Sequence, residues 1–127
     1  MDEARRYRNG MKARRAVLGD PHVDRAESQR NSFNAPFQDL ITRYAWGELW
    51  TRPGLPRKTR SLVTIGMMIA LNRPDELRLH LRAALQNGVT AREIQEVLLQ
   101  SAIYCGVPAA NSAFHIAEEV LNGAKKK

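Results

Sequence analysis

Apolar positions recur along much of this chain at the spacing of a helix face. Phe37, Leu40, Ile41, Tyr44 and Ala45 form one such series, and Ile94, Val97, Leu98, Ala102 and Cys105 form another. Between them, Leu77, His80, Leu81, Ala84 and Leu85 fall at i, i+3, i+4, i+7 and i+8, so a histidine shares an inward stripe. Spacing of three and four is the mark of an amphipathic helix, whereas a half-buried strand alternates in twos. No clear alternation in twos occurs, and the expected class is all-α. The segment Arg57 to Leu71 differs from the rest. It is apolar nearly all round after Ser61, which predicts burial on most sides. Its Leu, Met and Ala content favours helix, although Val63 and Ile65 leave a buried strand open.

Punctuation divides the pattern. Asp2 to Leu18 reads as a charged helix stopped by Gly19, with a break at Asp20-Pro21. His22 to Ser32 is polar and weakly periodic, a short helix or a loop. Pro36 suits the first turn of a helix running through Trp46. Pro53, Gly54 and Pro56 then make a stiff connection, which either anchors its aromatic residues on the core or lids a pocket. Pro74 opens the next helix, with Asp75 and Glu76 complementing its dipole and Gly88 as its stop. Thr90 and Glu93 have the spacing of a capping box. Pro108 begins a last helix, expected to end at Gly123.

Length and composition narrow the function. A chain of 127 residues is one domain by default: a basic helical segment over 1–32, a helical core over 33–123 and a basic tail over 124–127. Such a chain buries roughly two-thirds of the surface its unfolded form exposes, and small helical proteins often extend their cores by oligomerising. Twenty basic against 13 acidic residues give a net charge of +7, which favours anionic partners. The single cysteine, Cys105, excludes an intrachain disulfide, and packing is its expected role. The N-terminus lacks the apolar stretch of a signal peptide, and a cytoplasmic location is expected. Apolar runs of about 10 residues fall short of the ~20 a membrane span requires.

The candidate chemistry gathers where two helices meet. Glu76 and His80 are i, i+4 partners, and Arg73 lies one turn earlier. A guanidinium, a carboxylate and an imidazole on one side of a helix start can bind an anion and move a proton near neutral pH. The same spacing also suits a histidine satisfied within the core, with Glu76 as its hydrogen-bond partner. His22 and His115 lie far from His80, and their spacing matches no zinc signature, so no metal is expected. No glycine-rich phosphate loop is present. The basic residues lack the interleaved aromatics of a single-strand binder, which leaves a nucleic-acid module as the weaker reading.

Residues 46–120, from Trp46-Gly47-Glu48-Leu49-Trp50 through Asn72-Arg73-Pro74-Asp75-Glu76 to Glu118-Glu119-Val120, closely resemble the carboxymuconolactone decarboxylases, and residues 5–23 resemble the family's opening. The resemblance implies an AhpD-like, compact multi-helix subunit that assembles into a ring-like hexamer. It implies cofactor-free decarboxylation of gamma-carboxymuconolactone to 3-oxoadipate enol-lactone in protocatechuate breakdown. A decarboxylase or isomerase of a related lactone acid is the alternative. In the wider superfamily, disulfide reductases carry a Cys-x-x-Cys pair four residues before a histidine. Aligned on His80, those cysteines fall at Arg73 and Glu76, and a superfamily glutamate falls at Ser61. The absence of both thiols argues against redox chemistry.

For that reaction His80 is the candidate proton donor to carbon and Glu76 its orienting carboxylate. Arg73 and Arg60, then Arg52, are candidates for gripping substrate carboxylate, because guanidinium offers a bidentate fork. Trp46, Trp50 and Tyr104 are candidate walls. The expected partners are a small dicarboxylate lactone and further copies of the chain, with neither nucleic acid nor membrane.

Overall fold

The computed structural model describes residues 2–125, and these form helices with no strand among them. The expected all-α class is therefore observed. No helix among the described residues is long and apolar enough to cross a membrane. The chain divides into two compact units, residues 1–56 and 57–127. The segment from Phe33 to Pro56, which the sequence pattern grouped with the later helices, thus belongs with the N-terminal helix.

In the first unit, α1 (Glu3–Leu18) starts at Asp2, whose carboxylate accepts the Arg5 amide at 2.7 Å. Gly19 ends it with a φ of 91°, a value natural to glycine. Asp20-Pro21 does not break the chain there. It opens α2 (Asp20–Ser28), with proline in the first turn where no amide partner is needed. After α3 (Ala35–Leu40), the chain widens into a π-helix (Ile41–Leu49), closed by the Trp50 amide bonding the Ala45 carbonyl at 3.0 Å, five residues back. The π-helix packs along α1. A Cβ on Gly10 would collide with the Thr42 carbonyl and lie 2.9 Å from the Gly47 nitrogen, while one on Gly47 would lie 2.5 Å from the Arg6 carbonyl oxygen. Two glycines therefore permit this crossing.

The stripe expected to be buried here is not the one that packs. Thr42, Trp46 and Gly47 turn inward. Phe37, Leu40 and Tyr44 stay 58%, 51% and 43% exposed.

The charges of α1 are not uniformly solvated either. Arg6 pairs with Glu48 at 2.6 Å, and Arg15 pairs with Asp20 and Asp24 at 3.0 and 2.9 Å. Arg14 is buried, donating to Thr42 Oγ1 at 3.4 Å and standing 3.9 Å from the Glu27 carboxylate. Burial lowers its pKa from the usual arginine value. His22 is half-buried, and its pKa is lowered by that burial and then by Arg14 and Arg25.

The second unit holds the larger apolar core. It is built from α4 (Arg57–Ala70), α5 (Pro74–Gln86), α6 (Ala91–Tyr104) and α7 (Val107–Lys125). Ile65, Leu81, Ile94 and Leu98 are at most 2% exposed. Each such side chain contributes about 1.5–3 kcal/mol through burial. The Thr90–Glu93 capping box forms in both directions, at 3.1 and 2.9 Å. Gly88 takes a φ of 93° after α5. Two expectations need correction. Helix α7 runs through Gly123 to Lys125, because a lone glycine near a helix end costs only about 1 kcal/mol. Helix α4 buries one stripe, Ser61, Ile65 and Ile69, instead of most of its surface. Val63, Met67 and Leu71 face outward at 44%, 55% and 63% exposure.

Candidate active site

The joint between α4 and α5 sets the candidate site. Asn72 adopts a φ of 56°, a left-handed conformation that asparagine tolerates better than most side chains. The Arg73 amide bonds the Met68 carbonyl at 3.0 Å and the Asn72 amide bonds that of Ile69 at 3.2 Å, so the carbonyls at the end of α4 are satisfied by the backbone of the joint. Arg73 is the N-cap of α5, and its carbonyl accepts the Leu77 amide at 2.8 Å. Two helices thus meet within a few residues, with the guanidinium at the turn.

From this start, α5 separates its faces. Leu77, Leu81 and Ala84 are buried in the core. Glu76 and His80 follow at i and i+4 along a neighbouring side, as their spacing predicts, and Arg73 stands just outside the helix at its N-cap. Arg73 and Glu76 are exposed, whereas His80 is half-buried beside the apolar stripe. Solvent therefore reaches the cation and the carboxylate, and the imidazole sits one turn deeper. On another side of α5, Arg78 is engaged by Asp75 and Glu119 at 3.5 and 3.1 Å. Arg73 lines a crevice of about 30 Å³ with Met68, Pro74 and Leu77. It is too small to enclose a lactone acid.

Arg60 lies half-buried on α4, where its carbonyl accepts the Thr64 hydroxyl at 2.9 Å. The adjacent Ser61 is 1% exposed in the core stripe. Tyr104 ends α6 at 84% exposure and lines a different feature, a groove between α4 and α6 that also holds Cys105. Cys105 is half-buried against the core, a packing environment.

Trp46, Trp50 and Arg52 belong to the first unit. The two indoles stack with ring centroids 5.1 Å apart and are 7% and 6% exposed. They anchor the end of the π-helix, where Thr51 Oγ1 donates to the Gly47 carbonyl at 2.9 Å. Arg52 is exposed, 3.9 Å from the Glu48 carboxylate. Within the second unit, then, Glu76 and His80 stand four residues apart on α5, and Arg73 stands at its N-cap beside a crevice that neither of them lines. Among the described residues no three His, Cys, Asp or Glu side chains gather as a metal site would require.

Comparison with known proteins identifies this scaffold. Residues 35–119 match the model of the carboxymuconolactone decarboxylase family. The chain is 54% identical over 121 residues to 4-carboxymuconolactone decarboxylase of Acinetobacter baylyi, covering 95% of this chain and 90% of that protein. It is 44% identical over 118 residues to nitrosuccinic acid decarboxylase npaB of Metarhizium robertsii, covering 93% and 82%. A 48-residue stretch is 58% identical to a 4-carboxymuconolactone decarboxylase of Pseudomonas putida, covering 38% of this chain and all of that sequence. With the family model spanning residues 35–119, and two long relatives matched along nearly the whole chain, this protein belongs to the carboxymuconolactone decarboxylase family.

Proposed function

We propose that the chain decarboxylates 4-carboxymuconolactone, releasing carbon dioxide and forming 3-oxoadipate enol-lactone. The observation that carries this reading is the 54% identity with a 4-carboxymuconolactone decarboxylase over 95% of the chain. The chemistry needs no organic cofactor. The departing carboxylate sits on a ring carbon conjugated through a double bond to the lactone carbonyl. Its bonding electrons flow through that double bond onto the carbonyl oxygen as a dienolate, and a proton is then added at the ring carbon next to the carbonyl. Nitrosuccinic acid, the substrate in the name of the second relative, likewise pairs a second carboxylate with an electron sink, there a nitro group.

Three tasks fall to the protein: gripping carboxylate, stabilising the oxyanion and supplying the proton. Arg73, at the exposed mouth, and Arg60, on α4, are our choices for the grip. They hold the carboxymethyl group that stays, because tight binding of the departing carboxylate would stabilise the ground state and slow its loss. His80 donates the proton to carbon, and Glu76, one turn earlier, orients it. Removal of water from this mouth would strengthen each charged contact on the dienolate. The narrow crevice at Arg73 and the exposure of Met67 and Leu71 support a working form in which further copies of the chain complete the enclosure, a ring-like homo-oligomer, hexameric by the family resemblance. The pairing of Arg6, Arg14 and Arg15 with acids favours a small anion over nucleic acid as partner.

The test is an ultraviolet assay on freshly made 4-carboxymuconolactone, with carbon dioxide release followed in parallel. Rapid loss of the lactone with stoichiometric carbon dioxide is the expected result. A folded oligomer that releases none would overturn this substrate and direct the search to related lactone acids.

A further inference from the structure

Both places where the burial expected from the sequence fails are apolar, and they are differently shaped. On the first unit, Phe33, Phe37, Leu40 and Tyr44 recur at i, i+4, i+7 and i+11, with exposures of 94%, 58%, 51% and 43%. Phe33 stands on a turn clamped by two asparagines. Asn31 Oδ1 accepts the Phe33 and Asn34 amides at 2.9 Å each, Asn34 Oδ1 accepts the Asn31 amide at 2.9 Å, and Asn34 Nδ2 donates to the Gln29 carbonyl at 3.1 Å. The turn is therefore ordered before any partner arrives. A rigid, exposed aromatic side chain loses little entropy on docking, which is the property of an interface anchor.

On the second unit, α4 and α6 leave a groove of about 320 Å³, walled chiefly by Leu62, Val63, Val97 and Tyr104, with the uncharged polar Thr59, Gln100 and Ser101 also lining it. Gly66 keeps its floor open, since a Cβ there would meet only Val97 Cγ1, at 4.0 Å. Ile103 and Val107, close to Tyr104 in the chain, are 80% and 70% exposed. No charged side chain lines this groove. The α6–α7 groove carries Arg92 and Glu118, and the α5–α7 groove carries Arg78, Arg82 and Glu119. An uncharged aromatic ridge matches the uncharged groove and would strand charges in the other two.

We propose that the Phe33–Phe37–Leu40 ridge of one copy docks into the α4–α6 groove of a second copy. With Ile103 and Val107 at the groove's edge, the two surfaces together expose roughly 1,000 Å² of apolar side chain, near the lower end of what a specific contact buries. Ridge and groove are different surfaces of the same chain, so the contact is head-to-tail, and repetition closes a ring when the rotation between copies permits. This deepens the ring assembly proposed above and rests on it.

The test uses Phe33→Glu, Val63→Glu and their 1:1 mixture, with mass measured by light scattering after size exclusion and folding checked by circular dichroism. Both substitutions lie on exposed positions outside the proposed catalytic residues, and Phe33→Ser and Val63→Ser repeat the test without added charge. The expected result is a wild-type oligomer, two folded variants of reduced mass, and a mixture that doubles the mass of either, because each partner retains the surface the other needs. Variants of wild-type mass would overturn the assignment of the faces. Folded variants of reduced mass whose mixture gains none would overturn head-to-tail pairing. A monomeric wild type would overturn the assembly reading itself, and with it this one.

Discussion

Gly10 of α1 and Gly47 of the π-helix meet backbone to backbone, with no side chain between them. A Cβ on Gly10 would lie 2.9 Å from the Gly47 nitrogen and would collide with the Thr42 carbonyl. Gly10→Ala should therefore destabilise the protein by about 3 kcal/mol, because the obstacle is backbone and cannot swing aside. At Gly123, in α7, no atom lies within 4 Å of an added Cβ, and the same substitution should stabilise by up to about 1 kcal/mol. Denaturant titration of the two variants should give shifts of opposite sign. A tolerated Gly10→Ala would mean that the crossing is looser than described.

Arg14 is a buried cation facing a partly exposed carboxylate. Arg14→Met should cost about 3 kcal/mol, since it leaves Glu27 without its cation. Adding Glu27→Gln should recover part of that loss. A double-mutant cycle with no coupling would show that the 3.9 Å pair contributes nothing.

His22 makes the first unit sensitive to acid. Its pKa in the fold lies below the ordinary value of 6.5, from burial first and the neighbouring arginines second. The unfolded chain therefore takes up the proton at higher pH than the folded one. Stability should be fully present above 6.5 and decline as pH falls from there through the folded pKa. His22→Gln should flatten this part of the curve relative to wild type. Identical slopes in melting experiments between pH 7.5 and 5 would rule out the linkage.

His80→Ala should reduce kcat by roughly 10²- to 10⁴-fold while leaving oligomer mass and melting temperature nearly unchanged. KM should change far less than kcat in the same variant, a split that a purely structural role would not produce. Near-normal turnover would remove His80 from the proton-donor role.

Arg73→Ala should raise KM by about tenfold to a hundredfold, the loss expected for a charge-assisted contact to carboxylate. Arg73→Lys should recover charge but not the planar fork, and so restore KM only in part. An unchanged KM in Arg73→Ala would place the anion elsewhere.

Features written in local chemistry were legible in the chain. The Thr90–Glu93 box, Pro74 at the start of α5 and the stop at Gly88 are short-range events, decided by residues within one turn. The four-residue spacing of Glu76 and His80 on α5 was legible for the same reason. The π-helix was not, because Phe37, Leu40, Ile41, Tyr44 and Ala45 fit an ordinary helical period and widening depends on the fit against α1. Arg14 was hidden among solvated neighbours, since the spacing of charges does not reveal which one a second helix will cover. The exposed flanks of α4 and α3 show the remaining limit. An apolar stripe states that burial is favourable and leaves open which surface provides it.

The left-handed joint at Asn72 has one more implication. It is held by main-chain hydrogen bonds, to Met68 and Ile69, and these do not depend on which side chains occupy positions 73 and 76. Both of those side chains are exposed, so exchanging them disturbs little of the core. Natural variation can therefore exchange the groups at positions 73 and 76 at small cost in folding. The joint acts as an interchangeable mount, and what the mouth can grip becomes a question of what is fitted to it.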